Sequence, residues 1–416
     1  MEKKVLEKYF HIFLIFLPLS IIIGPAVSLL NVLILNIFFL FIIFKKKNLE
    51  FLNDITVRLI FIIYLYLIFN SFISLNYNEG LIRNLGFLRM IFLFLGINYF
   101  FFFYEKKRNF LNFWTILITI FIGDIFLERY SGTNLFGWGA NEINGIPQVY
   151  GDRVLSFFKD EPISGAFLSG FIFIIFGNLL SKNFNKSIPV IFLIVGFTAI
   201  LITGERANTL KILTGVFIFL FFVDMINIKT KIIACSALLA TFFLIINQSN
   251  YLKVRYQNQI IDKINSKEKI INYYNTNNYI ELYKSGYAVF KNNPLFGVGN
   301  KNYRVETCES SNRSNNFYKC TTHPHQIYFE FLSEHGLIGT IILLSIFFYL
   351  IFKILKVIVK SKNYLQLGAF TYVLINFLPV IPSGSFFGDF NLTIFWINFS
   401  IMFACNKKTN IFKNID

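Results

Sequence analysis

The sequence predicts an all-α fold, a polytopic integral membrane protein of about twelve transmembrane helices. Three observations predict it. Of 416 residues, 55% are hydrophobic and 19% aromatic, while only 15% are charged, a balance foreign to most soluble domains. Long apolar runs recur from one end of the chain to the other. Lysine and arginine cluster in the short connections on one side of these runs, while the long polar connections fall on the other side.

The opening run, residues 9–44, carries no charged residue. As one helix it would reach about 54 Å, against a hydrocarbon core of roughly 30 Å. It therefore predicts two spans, with Gly24-Pro25 through Asn31 supplying the break. Further spans follow at about 57–75, 85–104, 110–127, 163–180, 187–203, 208–224, 231–247, 336–357, 364–381 and 389–405.

The net charge of +16 fits the positive-inside rule. Lys3, Lys4 and Lys8, Lys45 to Lys47, Lys106, Lys107 and Arg108, Lys182 and Lys186, Lys229 and Lys231, Lys353 to Lys362, and Lys407 with Lys408 share one side. That side is expected to be the cytoplasm, with both termini on it. The basic residues are spread over short loops rather than one face, which argues against nucleic acid as a partner. The chain divides into helices over 1–247 with an external loop at about 128–162, a large external loop over 248–335, and three last helices with a cytoplasmic tail over 336–416.

Four cysteines agree with this layout. Cys308 and Cys320 fall in the large external loop, where an oxidising compartment favours a disulfide closing the polar stretch between them. Cys235 and Cys405 fall near cytoplasmic helix ends. No internal repeat, heptad array or phosphate-binding glycine loop is present. FGVGNKN at 296–302 has two glycines but no strand–helix context.

Chemistry concentrates in THPHQIYFEFLSEHGLIG, Thr322 to Gly339, which holds three of the four histidines. Pro324 suits a first helical turn, so His325 is expected there, where the positive end of the helix dipole disfavours imidazolium. A neutral imidazole is a competent general base. His323 and His335 read as loop and packing residues. His323 and His325, two apart, do not share a helical face, and no H-E-x-x-H pattern exists, so a metal site is not expected. Gly336 and Gly339, three apart, would let another backbone approach.

Arginines near external helix ends form the second cluster: Arg83 and Arg89, Arg153, and Arg206, which ends one span while Lys211 begins the next. Guanidinium forks suit diphosphate oxygens. The apolar run puts Arg89 inside a span, where a cation needs a partner or a wet cavity. Asp160 and Glu161 are candidates to orient one of these arginines.

Together these segments resemble the O-antigen ligase and O-antigen polymerase superfamily of bacterial envelope glycosyltransferases. The ligase pattern, His, then Asn, Ser or Gln, nine residues, Gly, two residues, then Gly, Thr or Tyr, is met by His325, Gln326, Gly336 and Gly339. KSGYAVFKNNPLFGVGNKNYR resembles the segment around the family's PxxGxG turn, RVLSFFKDEPISGAFLSG its external Arg-Phe-Glu segment, and TGERANTL its arginine-bearing helix end. The resemblance implies glycan transfer outside the inner membrane with no metal or nucleotide cofactor. The donor would be a glycan on undecaprenyl diphosphate. The acceptor would be lipid A–core for a ligase, or another lipid-linked repeat unit for a polymerase. By position His325 would be the base, and Arg206 and Arg153, with Arg89 as a further candidate, would hold the diphosphate. A lipid-linked-glycan transporter is the reading from another class. It would place charges at mid-membrane and repeat its halves, and this chain does neither.

The charge asymmetry yields a test of topology. Cysteines introduced at Lys267 and Lys362 should label from opposite sides of the membrane. Labelling of both by an impermeant reagent from outside would discard the arrangement.

Overall fold

A computed structural model describes every residue except 1–2, 47–48, 105–108, 140–141, 144–145, 148–152, 160, 183–186, 225, 260, 264, 310–316 and 415–416. Lys47, Lys106, Lys107, Arg108, Asp160 and Lys186 thus lie outside the described residues.

The first apolar run breaks where glycine and proline place the break. α1 (Lys3–Ile15) and α2 (Leu17–Ile23) end at Gly24, and α3 (Pro25–Lys46) begins at the proline. A second break, not expected from the sequence, bends α1 against α2 by 49°. Pro18 in the first turn of α2 fits its position. Asn31 on α3 reaches across to the Phe13 carbonyl and to Ser20.

α4 (Ile55–Phe72) is capped by Asp54, whose carboxylate accepts from the Thr56 amide at 2.8 Å. α5 (Tyr77–Gly86), capped by Asn76, continues after a turn into α6 (Leu88–Phe103). α7 (Phe110–Ser131) closes at a left-handed Gly132. A two-residue antiparallel ladder, Glu142–Ile143 with Ile146–Pro147, is the one extended pairing among the described residues. α8 (Ser164–Leu180), α9 (Ser187–Ile202), α10 (Arg206–Phe222) and α11 (Ile228–Gln248) follow.

The polar stretch after α11 is helical too. α12 (Asn250–Leu252) runs into a π-turn over Lys253–Asn258, then α13 (Lys267–Thr276), α14 (Asn278–Asn292) and α15 (Tyr303–Cys308). Cys308 and Cys320 are joined as a disulfide, with Cα atoms 4.6 Å apart. α16 (Ile327–Ser361), α17 (Tyr364–Ile375) and α18 (Asp389–Ala404) complete the fold.

Among the described residues six helical segments are long and apolar enough to cross a membrane, or seven if the bent α1–α2 pair is one span. α8, α9, α17 and α18 are shorter apolar helices. The protein is all-helical in its framework and multi-pass by this composition. α11 shows why a bilayer is needed: only 17% of its apolar window is buried by protein.

The densest packing surrounds α8, which meets α17 closely, while α17 and α6 both meet α18. Nearly every residue of α8 is buried. A Cβ at Gly177 would collide with the Tyr364 carbonyl, and one at Gly368 with the Phe173 carbonyl. Backbone contact of this kind is how apolar helices associate where lipid offers no hydrophobic drive. Buried amides add polar contacts: Asn398 donates to the Gly170 carbonyl at 2.9 Å and Gln366 to the Met402 carbonyl at 2.8 Å.

α16 is interrupted at Gly336, where φ is 63° and ψ is −168°, a region open essentially to glycine alone. The segment 294–299 crosses this break. The Val298 and Gly299 amides donate to the Ser333 and Glu334 carbonyls, and the Leu337 and Ile338 amides donate to the Pro294 and Leu295 carbonyls. FGVGN is thus a backbone crossing, with Gly297 set directly against Gly336. The close approach expected at Gly336 is therefore made by backbone. At Gly339 it is made by a side chain, since a Cβ there would collide with the Tyr66 hydroxyl.

Gly336→Ala should therefore impose both backbone strain and a clash, about 2–5 kcal/mol together. A melting midpoint several degrees lower in detergent is the expected result, with Leu337→Ala, on a half-exposed neighbour, nearly neutral. Equal midpoints for Gly336→Ala and wild type would show that the crossing carries no weight.

Candidate active site

His325 sits outside the helix, two residues before Ile327, and not in a first turn begun by Pro324. Its φ is 55°, left-handed. The reason is the cap. Gln326 is extended, and its side-chain oxygen accepts from the Tyr328 and Phe329 amides at 2.8 and 3.1 Å. With Gln326 as N-cap, the preceding residue must turn away. The turn is held by the Ser383 amide, which donates to the His325 carbonyl at 2.8 Å.

The three histidines have different surroundings. His323 is engaged at both ring nitrogens, with the Thr322 hydroxyl at 2.9 Å and the Ser383 carbonyl at 3.4 Å. Burial pushes its imidazole down to about 3. His335 is fully buried within α16 among the rings of Tyr66, Phe331 and Phe387. His325 lies against His323 with ring centroids 4.0 Å apart and the rings tilted by 39°, and meets the edge of Tyr279. Burial holds its imidazole below the ordinary value, and it faces a cavity.

That cavity has a volume of about 490 Å³ and lies where α8, α10 and the start of α16 converge on the segment after α17. It gathers His325, Arg153, Arg206, Lys211 and Glu161 of the residues expected from sequence. Gln326, Gly336 and Gly339 hold the helix that presents His325. Arg89 lies elsewhere: at the start of α6 it pairs with Asp389 and donates to the Gly86 carbonyl at 3.1 Å. It lies within the candidate span Tyr77–Phe103, as the apolar run led one to expect, and Asp389 is the partner that a cation there needs.

The cavity also contains Arg255, which the sequence patterns did not single out. Arg255 is carried on the π-turn after α12, an irregularity frequent at functional sites. It is clasped to the start of α10: its guanidinium donates to the Gly204 carbonyl at 3.0 Å, and Arg206 reaches the Arg255 carbonyl at 3.5 Å. The Tyr256 hydroxyl, 2.8 Å from Thr209, fixes the turn. The clue available in sequence was its position just past an apolar run, the same clue that marks Arg206. The several basic residues around it in the loop masked that clue.

Glu205 organises the cationic wall. Its carboxylate accepts from the Gly165 and Ala166 amides at the start of α8, at 2.5 and 3.2 Å, and from Asn208 at 2.7 Å. Burial pushes its carboxyl up to about 7, against these donors and Arg153, which favour the charged form. Its oxygens are occupied by α8 and Asn208, so they do not close the first turn of α10, where Ala207 and Asn208 line the cavity. A helix N-terminus adds to the attraction for an anion. The Val154 amide donates to the Thr203 carbonyl, which sets Arg153 beside this turn. The Nε atoms of Arg153 and Arg255 are buried with no hydrogen-bond partner among the described residues.

Four cations, Arg153, Arg206, Lys211 and Arg255, thus face two carboxylates, Glu161 and Glu205, and one imidazole. Such a wall can hold a multiply charged anion, and the imidazole can accept a proton beside it. No group of three or more His, Cys, Asp or Glu is arranged to hold a metal among the described residues. No curated protein matches the chain. Residues 190–344 match the family model described as O-antigen ligase, a segment running from α9 through Arg206, Arg255 and His325 into α16. Over those residues the chain is similar to the O-antigen ligase family.

Proposed function

We propose that the protein is a ligase-type glycosyltransferase that moves a glycan from undecaprenyl diphosphate to a sugar hydroxyl of lipid A–core at the periplasmic face of the inner membrane. The family match over residues 190–344 supports activity of the O-antigen ligase or polymerase type; donor, acceptor and orientation are this reading's own. The observation that carries it is a cavity that sets the unpaired buried Nε–H groups of Arg153 and Arg255 beside the His325 imidazole.

The chemistry follows from those groups. Arg153, Arg206 and Arg255 hold the diphosphate, and Lys211 adds charge from α10. The acceptor oxygen attacks the anomeric carbon while the bond from that carbon to the diphosphate oxygen breaks. His325 takes the hydroxyl proton, and the leaving diphosphate keeps the electron pair. Fixed cations stabilise the charge that grows on it, without solvent reorganisation. Glu161 is at the cavity mouth and Glu205 positions the wall.

The seven longer spans, the four shorter apolar helices and α10 would together supply twelve membrane segments. Both termini are then cytoplasmic, and the stretch from α12 to the start of α16 forms a periplasmic cover over the cavity.

His325→Ala should lower transfer roughly 10²–10⁴-fold while the protein still binds lipid-linked donor. Arg206→Ala and Arg255→Ala should weaken donor binding as well. Arg206→Lys should recover only part, because an ammonium cannot bind two oxygens in a fork. Near wild-type transfer by His325→Ala in a reconstituted assay would remove the catalytic assignment. Cells lacking the protein should carry lipid A–core without polymer; single-unit glycans on it would instead indicate a polymerase.

Transfer should also depend on pH in one direction. The base acts as neutral imidazole, so activity is lost as pH falls through the folded-state value. Burial holds that value below the ordinary value for histidine of about 6.5. Activity should persist through pH 6.5 and fall only in more acid buffer. An acid limb centred above 6.5 would contradict a buried neutral base.

A further inference from the structure

A second cavity of about 530 Å³ lies behind the wall that closes the first. The two share a partition. Ser383, Gly384 and Phe386 face the first cavity, while Ser385 and Phe387 face the second. In the same way His325 faces the first and Thr322 the second. The partition is fixed from inside: buried Glu330 accepts from the Ser385 hydroxyl at 2.6 Å and from the Phe386 amide at 2.9 Å.

The charge of the two chambers differs. The first has four cations against two carboxylates. The second has Arg83, Lys301 and Arg304 against Glu79, Glu309 and Glu334, with no excess of either sign. Lys301 is already paired with Glu79 at 2.6 Å, and Arg83 donates to the Phe387 carbonyl. A diphosphate has little to gain there. A lining that mixes amide, carboxylate and guanidinium groups suits a ligand rich in hydroxyls, which both donates and accepts. The wall is also pre-set. Asn300 is bonded through its amide to Asn70 and through its side chain to Asn84, and Asn302 accepts from the Asn76 amide. A cavity of this size accommodates a small-molecule ligand.

We propose that the second cavity is the acceptor subsite, taking an uncharged stretch of oligosaccharide whose reacting hydroxyl passes the Thr322–His325 segment to reach the imidazole. This rests on the transferase reading above. It adds a division of labour, with the anionic leaving group on one side of the partition and the sugar hydroxyls on the other.

Arg304 and Glu309 are exposed, so the double variant Arg304→Ala, Glu309→Gln should fold. The probe is oligosaccharide freed of lipid and diphosphate by mild acid from the surface glycan of the expressing cells. Binding to the purified full-length protein is read by saturation-transfer NMR. The double variant should weaken oligosaccharide binding at least about tenfold, the scale of one lost hydrogen-bond pair. It should leave inorganic diphosphate binding unchanged, and Arg206→Ala should do the reverse. In the transfer assay the double variant should raise the acceptor KM and not the donor KM. Oligosaccharide binding that is absent in wild type, indifferent to the double variant, or lost only with Arg206→Ala would overturn the subsite. Failure of His325-dependent transfer with these binding results intact would overturn the transferase reading instead.

Discussion

The site depends on a piece of backbone pairing that involves no catalytic side chain. At Gly336 the helix α16 opens, and 294–299 fills the gap with four amide–carbonyl bonds running in both directions. An opened helix within a membrane protein leaves amides and carbonyls that lipid cannot satisfy, so the break is tolerable only because another segment satisfies them. That segment is the end of the loop whose helix α14 packs on Pro324 and Phe329. The crossing therefore fixes the long polar stretch to the bundle and, through it, the turn that carries His325. Two glycines facing each other are what permit the contact.

The cationic wall obeys a second constraint. Desolvating several guanidinium and ammonium groups together is unfavourable, and their mutual repulsion lowers the Arg255 value further after burial has done so. The structure offsets this in part by bonding Arg255 and Arg206 to carbonyls of the opposite turn and by placing Glu205 among them. What remains is an excess of positive charge with unused N–H groups. An anion held in the cavity, as proposed above, would complement both.

Much of this was legible in sequence because membrane physics is simple. The helices lie close to the apolar runs, and Gly24-Pro25 divides the first run as its residue types require. The spacing from His325 to Gly339 pointed to the site because each of its positions meets a backbone requirement. His325 makes a left-handed turn, Gln326 caps the helix, Gly336 opens it where only glycine can, and Gly339 admits a close contact. Other features were illegible because they depend on tertiary partners. The partner of Arg89, Asp389 at the start of α18, lies so far along the chain that no local pattern could pair the two. Arg255 lay in a polar loop whose π-turn is imposed by Tyr256 packing on α10. The helix starts at Ile327 rather than Pro324 because Gln326, a weak capping type by propensity, is held extended by its neighbours.

The gathering of three imidazoles in eighteen residues now separates into three physical roles. His335 is a ring among rings, packed beneath the glycine break. His323 has both nitrogens engaged and lends its face to its neighbour. Only His325, forced outward by the Gln326 cap, presents its nitrogens to the cavity. Burial holds this imidazole toward its neutral form. The cavity thus brings an imidazole from just before α16 up to cations drawn from the stretch before α8, from α10 and from the turn after α12, groups that lie far apart in the chain and meet only in the fold.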